Sequence, residues 1–133
     1  MKILFTVLFC LCVPLMAADK KPATKEESAK AIEAAIRKAA KKPTGELTKA
    51  DLEKVTELNL RYKQITSVTG LEKLTQLDGL HLNKNELTDV KGLEKLTNLS
   101  KLRLQNNPDL TKAQIGQLQK ALPKCKISSN PTK

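Results

Sequence analysis

The chain has 133 residues and carries 24 Lys and Arg against 14 Asp and Glu, a net charge of +10, with only 2% aromatic residues. That length suits one domain. Its aromatic residues are Phe5, Phe9 and Tyr62, and there is no Trp. A core built around large rings is therefore excluded, and Leu, Ile, Val and Ala must pack it through many weak dispersion contacts between similar layers.

Residues 1–18 read as a signal peptide outside the fold. Lys2 opens the chain, Ile3 to Val13 is apolar apart from Thr6, Pro14 breaks the run, and Ala17 and Ala18 suit a peptidase. The run is too short for a spanning helix, which needs roughly 20 apolar residues, and Asp19-Lys20-Lys21 comes directly after it. The expectation is a Sec-type signal and a secreted or periplasmic protein, with no transmembrane segment after cleavage. Cleavage after Ala17 or Ala18 removes Cys10 and Cys12. One thiol, Cys125, remains, so neither an internal disulfide nor a Cys/His metal cluster can form.

Residues 19–45 form a charged helical arm. Within it, 24–40 reads as a helix, with Thr24 and Glu27 as a capping box and Ala29, Ile32, Ile36 and Ala39 as a narrow apolar stripe. Lys41 to Gly45 ends it. A second short helix start, Thr48 to Asp51, leads into Leu52 and Val55. Whether the arm docks on the rest of the chain is open at this level.

From residue 46 the chain repeats itself. Leu71, Leu74, Leu77, Leu80 and Leu82 recur 22 residues later as Leu93, Leu96, Leu99, Leu102 and Leu104. Moving back by 22 from Leu74, Leu77, Leu80, Leu82, Leu87 and Val90 gives Leu52, Val55, Leu58, Leu60, Ile65 and Val68. Eleven apolar positions in register at one offset are a strong sign of repeat architecture. In each LxL, alternation turns both leucines to the same side of a short strand. After residue 110, Thr111 and Gln114 open another helix with Ile115, Leu118 and Leu122 on its buried face, and Pro123 closes it. A fourth copy then reads as Leu122, Cys125, Ile127 and Asn130. Residues 131–133 are expected to be a frayed tail.

These segments resemble the leucine-rich repeat, LxxLxLxxNxL, in its 22-residue bacterial form, and are similar to the internalins. The resemblance covers residues 46–130. It implies an α/β solenoid: a short leucine-rich-repeat horseshoe with parallel concave strands, an N-terminal helical cap formed by the arm, and a C-terminal helix-strand repeat. It also implies that Asn85, Asn107 and Asn130 bury their amides at the turns and satisfy backbone groups there. Lys63 stands where the first repeat should have that Asn, so the first turn is expected to be looser.

Once the first 18 residues are removed, 23 cations face 14 anions. The arm carries +4, residues 46–110 are neutral and 111–133 carry +5. The positions that the resemblance places on the concave face hold Arg61, Lys84, Lys101, Arg103, Lys124 and Lys126 against Glu57 alone. Such a face predicts an acidic protein partner, or alternatively an anionic envelope polymer. Ordinary solvated lysines covering strands would look the same. Nucleic acid is a poor fit, because export removes it and Tyr62 alone offers stacking. Arg61, Tyr62, His81, Lys84, Lys101 and Arg103 are the candidate partner-binding residues, with Tyr62, His81 and Arg103 as anchors.

No catalytic set emerges. His81, the one histidine, and Cys125 point to opposite sides of their strands, and paired carboxylates such as Glu26-Glu27 suit a helix start. There is no Gly-rich phosphate loop, and no cofactor is expected. The reading is a non-enzymatic binding module that mediates protein-protein interaction. Two alternatives are a cationic envelope-associated structural protein held by electrostatics and an inhibitor of an enzyme.

Overall fold

A computed structural model describes residues 23–130. The expected signal peptide and the expected frayed tail at 131–133 lie outside the described residues. Four three-residue strands, β1 (Glu57–Asn59), β2 (Gly79–His81), β3 (Lys101–Arg103) and β4 (Lys126–Ser128), form one parallel sheet in chain order. Leu58, Leu80 and Leu102 stand side by side across it. The molecule is a short leucine-rich-repeat solenoid. The first two return legs each contain a 3₁₀ turn, Leu71–Lys73 and Leu93–Lys95, and pack their leucines against the same core. Gly70 and Gly92 enter those turns at φ +100° and +104°, a left-handed conformation that a side chain disfavours.

Three helices flank the repeats: α1 (Lys25–Ala40), α2 (Lys49–Glu53) and α3 (Lys112–Ala121). All three start on the expected residues, Thr24, Thr48 and Thr111, each in a reciprocal capping box. The arm docks. Ile32 and Ile36 lie in the same core cluster as the repeat leucines, and Ser28 Oγ accepts the Thr66 backbone N–H at 3.0 Å. Its buried stripe is rotated from the expected one, however. Ser28, Ile32 and Ile36 are buried with Ala31 and Ala35 beside them, whereas Ala29 and Ala39 are exposed. The small Ser28 lets the helix approach the first turn closely enough for that hydrogen bond. Lys42 Nζ, 2.7 Å from Asp51 Oδ2, pins the arm's exit to α2 and, with Thr48, holds the Asp51 carboxyl well below the usual carboxylate range.

The turns explain the asparagines. Asn85 Nδ2 donates to the carbonyls of Leu60 and Leu82 at 2.8 and 2.9 Å, while its Oδ1 accepts from Lys63 and Ile65 N–H at 3.0 and 3.2 Å. Asn107 donates to Leu82 and Leu104 and accepts from Leu87. Each buried amide thus stitches its own turn to the preceding one. This corrects the expectation for Lys63. Its turn is held by Asn85 of the next repeat, and what Lys63 cannot make is a bond back toward the cap, where α1 packs instead. The first turn is nevertheless distinct: Gln64 joins Tyr62 in the left-handed region, while only Lys84 and Asn106 occupy it in the next two turns.

The last repeat departs from the expected alignment. Ile127, not Cys125, pairs with Leu102, an offset of 25 residues, since Lys101, Leu102 and Arg103 face Lys126, Ile127 and Ser128. A helix advances only about 1.5 Å per residue, so α3 consumes more chain than the extended legs do. Asn130 consequently lies level with Gln105, is exposed, and does not bury its amide. It bonds sideways, accepting from Asn106 N–H at 2.6 Å and donating to Asn106 Oδ1 at 3.0 Å. Cys125 instead donates its N–H to Leu122 O, as Leu99 does to Leu96 O, so it replaces the leucine that opens the motif. It is buried and unpaired, and burial pushes its thiol pKa up, with the Asp78 charge adding to the shift.

Candidate functional site

The parallel ladder converts sequence spacing into rows across one face of the sheet, the face expected to be concave. Glu57, Gly79, Lys101 and Lys126 form one row, and Asn59, His81, Arg103 and Ser128 the next. Beyond the strand ends stand Arg61, then Tyr62 beside Lys84. Of the predicted residues, Arg61, His81, Lys101 and Arg103 share one face. Lys101 and Arg103 are exposed and form no ion pair with the described residues. Lys101 lies directly opposite Lys126, a like-charge pairing that costs stability within the sheet. Lys124 is a correction: the shifted register leaves it in the turn before β4, off the strand row.

Arg61 is preorganised. Asn59 Oδ1 accepts from both its backbone N–H at 3.2 Å and its Nε at 3.1 Å, fixing the side chain along the strand end. Tyr62 is 65% exposed, the one exposed large hydrophobic side chain among the described residues. Lys84 Nζ donates to its hydroxyl and lies 4.6 Å from the ring centroid, so the two act as one unit.

His81 is not the freely exposed anchor that alternation suggested. Its side chain is 16% exposed, Nε2 lies 3.7 Å from Glu57 Oε1, and its buried Nδ1 has no partner among the described residues. Burial lowers its pKa, and the fields of Arg103 and Arg61, with a smaller one from Lys101, act in the same direction against Glu57. Its neighbours in the ladder are Asn59 on β1 and Arg103 on β3, and strands only about 4.8 Å apart leave the ring little open surface. Burial and the surrounding cations together disfavour its protonated form. Two residues escaped sequence reasoning. Asn59 positions Arg61, and Glu57 lies over Gly79, where an added Cβ would meet Glu57 Cγ at 3.3 Å. No sequence signal marks either role.

The fold supports comparison with known proteins. No protein-family model matches the chain, and no curated protein matches it. Among solved structures, an internalin from Listeria monocytogenes is similar over 77% of this chain, at 26% identity and a TM-score of 0.66. Internalin C2 from the same organism covers the same share at 20% identity and a TM-score of 0.50. A leucine-rich-repeat protein of Leptospira interrogans is 34% identical over 44% of the chain, with a TM-score of 0.39. The chain spans 31% of the first internalin and 56% of the second. The 22-residue period, the parallel ladder and the likeness to the first internalin agree on one architecture: this chain is a leucine-rich-repeat solenoid similar to an internalin.

Proposed function

We propose that this protein is an exported, non-catalytic module that binds an acidic protein surface through its basic concave face. A role in protein-protein interaction follows from the fold type. The acidic partner rests on one observation: Arg61, Lys101, Arg103 and Lys126 share one side of the sheet, with Lys101 and Lys126 adjacent despite their repulsion. Like charges gathered on a curved surface reinforce each other's potential and attract the opposite charge. The non-catalytic reading is supported by His81 and Cys125. The former is held among cations, and the latter is buried with its thiolate disfavoured.

Poly-L-glutamate serves as the probe. The protein should bind it at low salt, and Arg61→Glu, Lys101→Glu and Arg103→Glu together should weaken binding by at least about tenfold with the thermal melt unchanged. Undiminished binding by the triple variant would overturn the concave-face reading. A second reading, a cationic protein held on an anionic envelope polymer by overall charge, is favoured by the exposed lysines of α1 and α3. It predicts binding that the triple variant retains and that modest salt abolishes. Export through residues 1–18 is part of the proposal. An N-terminus at Ala18 or Asp19 in mass spectra of the secreted protein supports it, and an intact Met1 would refute it.

A further inference from the structure

A shallow groove runs along the seam between the last turns of α1 and the first repeat. Its volume is about 690 Å3. Ala35 and Ala39 line one side, and Tyr62 borders the other. Lys38, Arg61 and Lys63 supply three cations to its rim, with Glu57 as the one anion. An apolar floor with a basic rim is thus continuous with the basic concave face, because Arg61 belongs to both.

Tyr62 is the second observation. The turn requires a left-handed residue at this position in each repeat, and Tyr62, Lys84 and Asn106 occupy it at φ 58°, 60° and 59°. Asn adopts that conformation cheaply, whereas a bulky aromatic is strained there. The ring gains no core burial in return, being 65% exposed. Strain held without a packing reward points to use of the ring at the surface.

We infer that this groove is an anchor site for an apolar side chain of the partner, flanked by carboxylates: an acidic segment carrying a phenylalanine or a similarly large apolar residue. The charge complementarity is specific. The apolar side chain lies between the ring of Tyr62 and the methyl groups of Ala35 and Ala39, while neighbouring carboxylates meet Lys38, Arg61 and Lys63. A second copy of the chain is a poorer occupant, because its own cations would meet that rim. This inference rests on the acidic-partner reading and adds a position that selects among acidic partners. Aromatic and arginine side chains at such sites carry a large share of interface energy.

The test uses two short probes, a run of glutamates around a central phenylalanine and the same peptide with alanine in its place. Titration calorimetry should show the phenylalanine probe binding about tenfold more tightly, a difference of ~1.4 kcal/mol. That preference should disappear in Tyr62→Ala and in Ala39→Arg, both changes at exposed positions that leave the core untouched. Charge reversal at Arg61, Lys101 and Arg103 should weaken both probes. Equal affinity for the two probes, or a preference surviving both variants, overturns the groove and leaves the concave-face reading intact. If neither probe binds, both readings fall. Sedimentation showing a dimer that Tyr62→Ala dissolves would assign the groove to a second copy and overturn the peptide anchor.

Discussion

The two ends of this solenoid are finished by different means. At the N-terminal end a sixteen-residue helix lays Ile32 and Ile36, both at most 5% exposed, over the first repeat and bonds through Ser28 to its turn. At the C-terminal end α3 covers the outer side with Leu118 and Leu122, but β4 leaves Ile127 half-buried and Asn130 exposed. Each repeat contacts only its neighbours, and among the described residues nothing stacks on the outer edge of β4, which there retains less of its burial. One and the same motif therefore contributes differently according to what stacks on it.

The largest expected effects lie between the ends. Leu80→Ala and Leu102→Ala should each cost ~2–5 kcal/mol in chemical denaturation, since both side chains are wholly enclosed. Asn85→Ala should cost about 3 kcal/mol or more, because it strips partners from four backbone groups, each worth ~1–3 kcal/mol when left buried and unpaired. Asn130→Ala, at the open end, should stay within about 0.5 kcal/mol. Similar costs for the two asparagines would mean that the last turn is closed after all.

Next come the ends themselves. Ile36→Ala should cost ~2–5 kcal/mol, and Ile127→Ala roughly half as much, in proportion to burial. Equal losses would erase the contrast between the two ends. Cys125 probes the open end in another way. Cys125 is 3% exposed, so a thiol reagent should label native protein slowly and urea-unfolded protein fast. Rapid native labelling would place the boundary of stable structure before β4.

The smallest effect concerns His81. Its folded pKa is below the ordinary value of 6.5, so the fold favours the neutral ring. The associated stability is therefore present above about pH 6.5 and is lost as pH falls through that value toward the folded pKa. Between pH 7.5 and 5.5 the melting temperature of the wild type should decline slightly more than that of His81→Gln. Parallel profiles would show that neither burial nor the surrounding cations lower the imidazole pKa.

Much of this could be read from residue order. The offset of 22 located the core leucines of the three central repeats apart from Leu110, which Pro108-Asp109 delays by one residue, because burial in a stacked array requires the same phase in each layer. The three helix starts were equally legible, since their caps are local hydrogen bonds among residues three apart. The turn role of Asn85 and Asn107 came from the resemblance, and both amides are buried there. Asn130 failed the same rule. Its spacing from Cys125 matched the motif, but the register of β4 follows from backbone pairing and from the length of chain that α3 consumes.

Residue order alone thus set the period, the inward leucines, the helix starts and the excess of cations on alternate strand positions, all of which depend on near neighbours or on a fixed repeat. It took the folded arrangement to select which face of α1 is buried, to make Asn85 secure the preceding turn, and to set His81 beside Arg103 and within the field of Arg61. The same arrangement brings the alanines of α1 to Tyr62 in one groove. Those outcomes depend on which elements come to lie together across tens of residues. Backbone register, side-chain volume and the field of several charges set them jointly, and no local spacing encodes that sum.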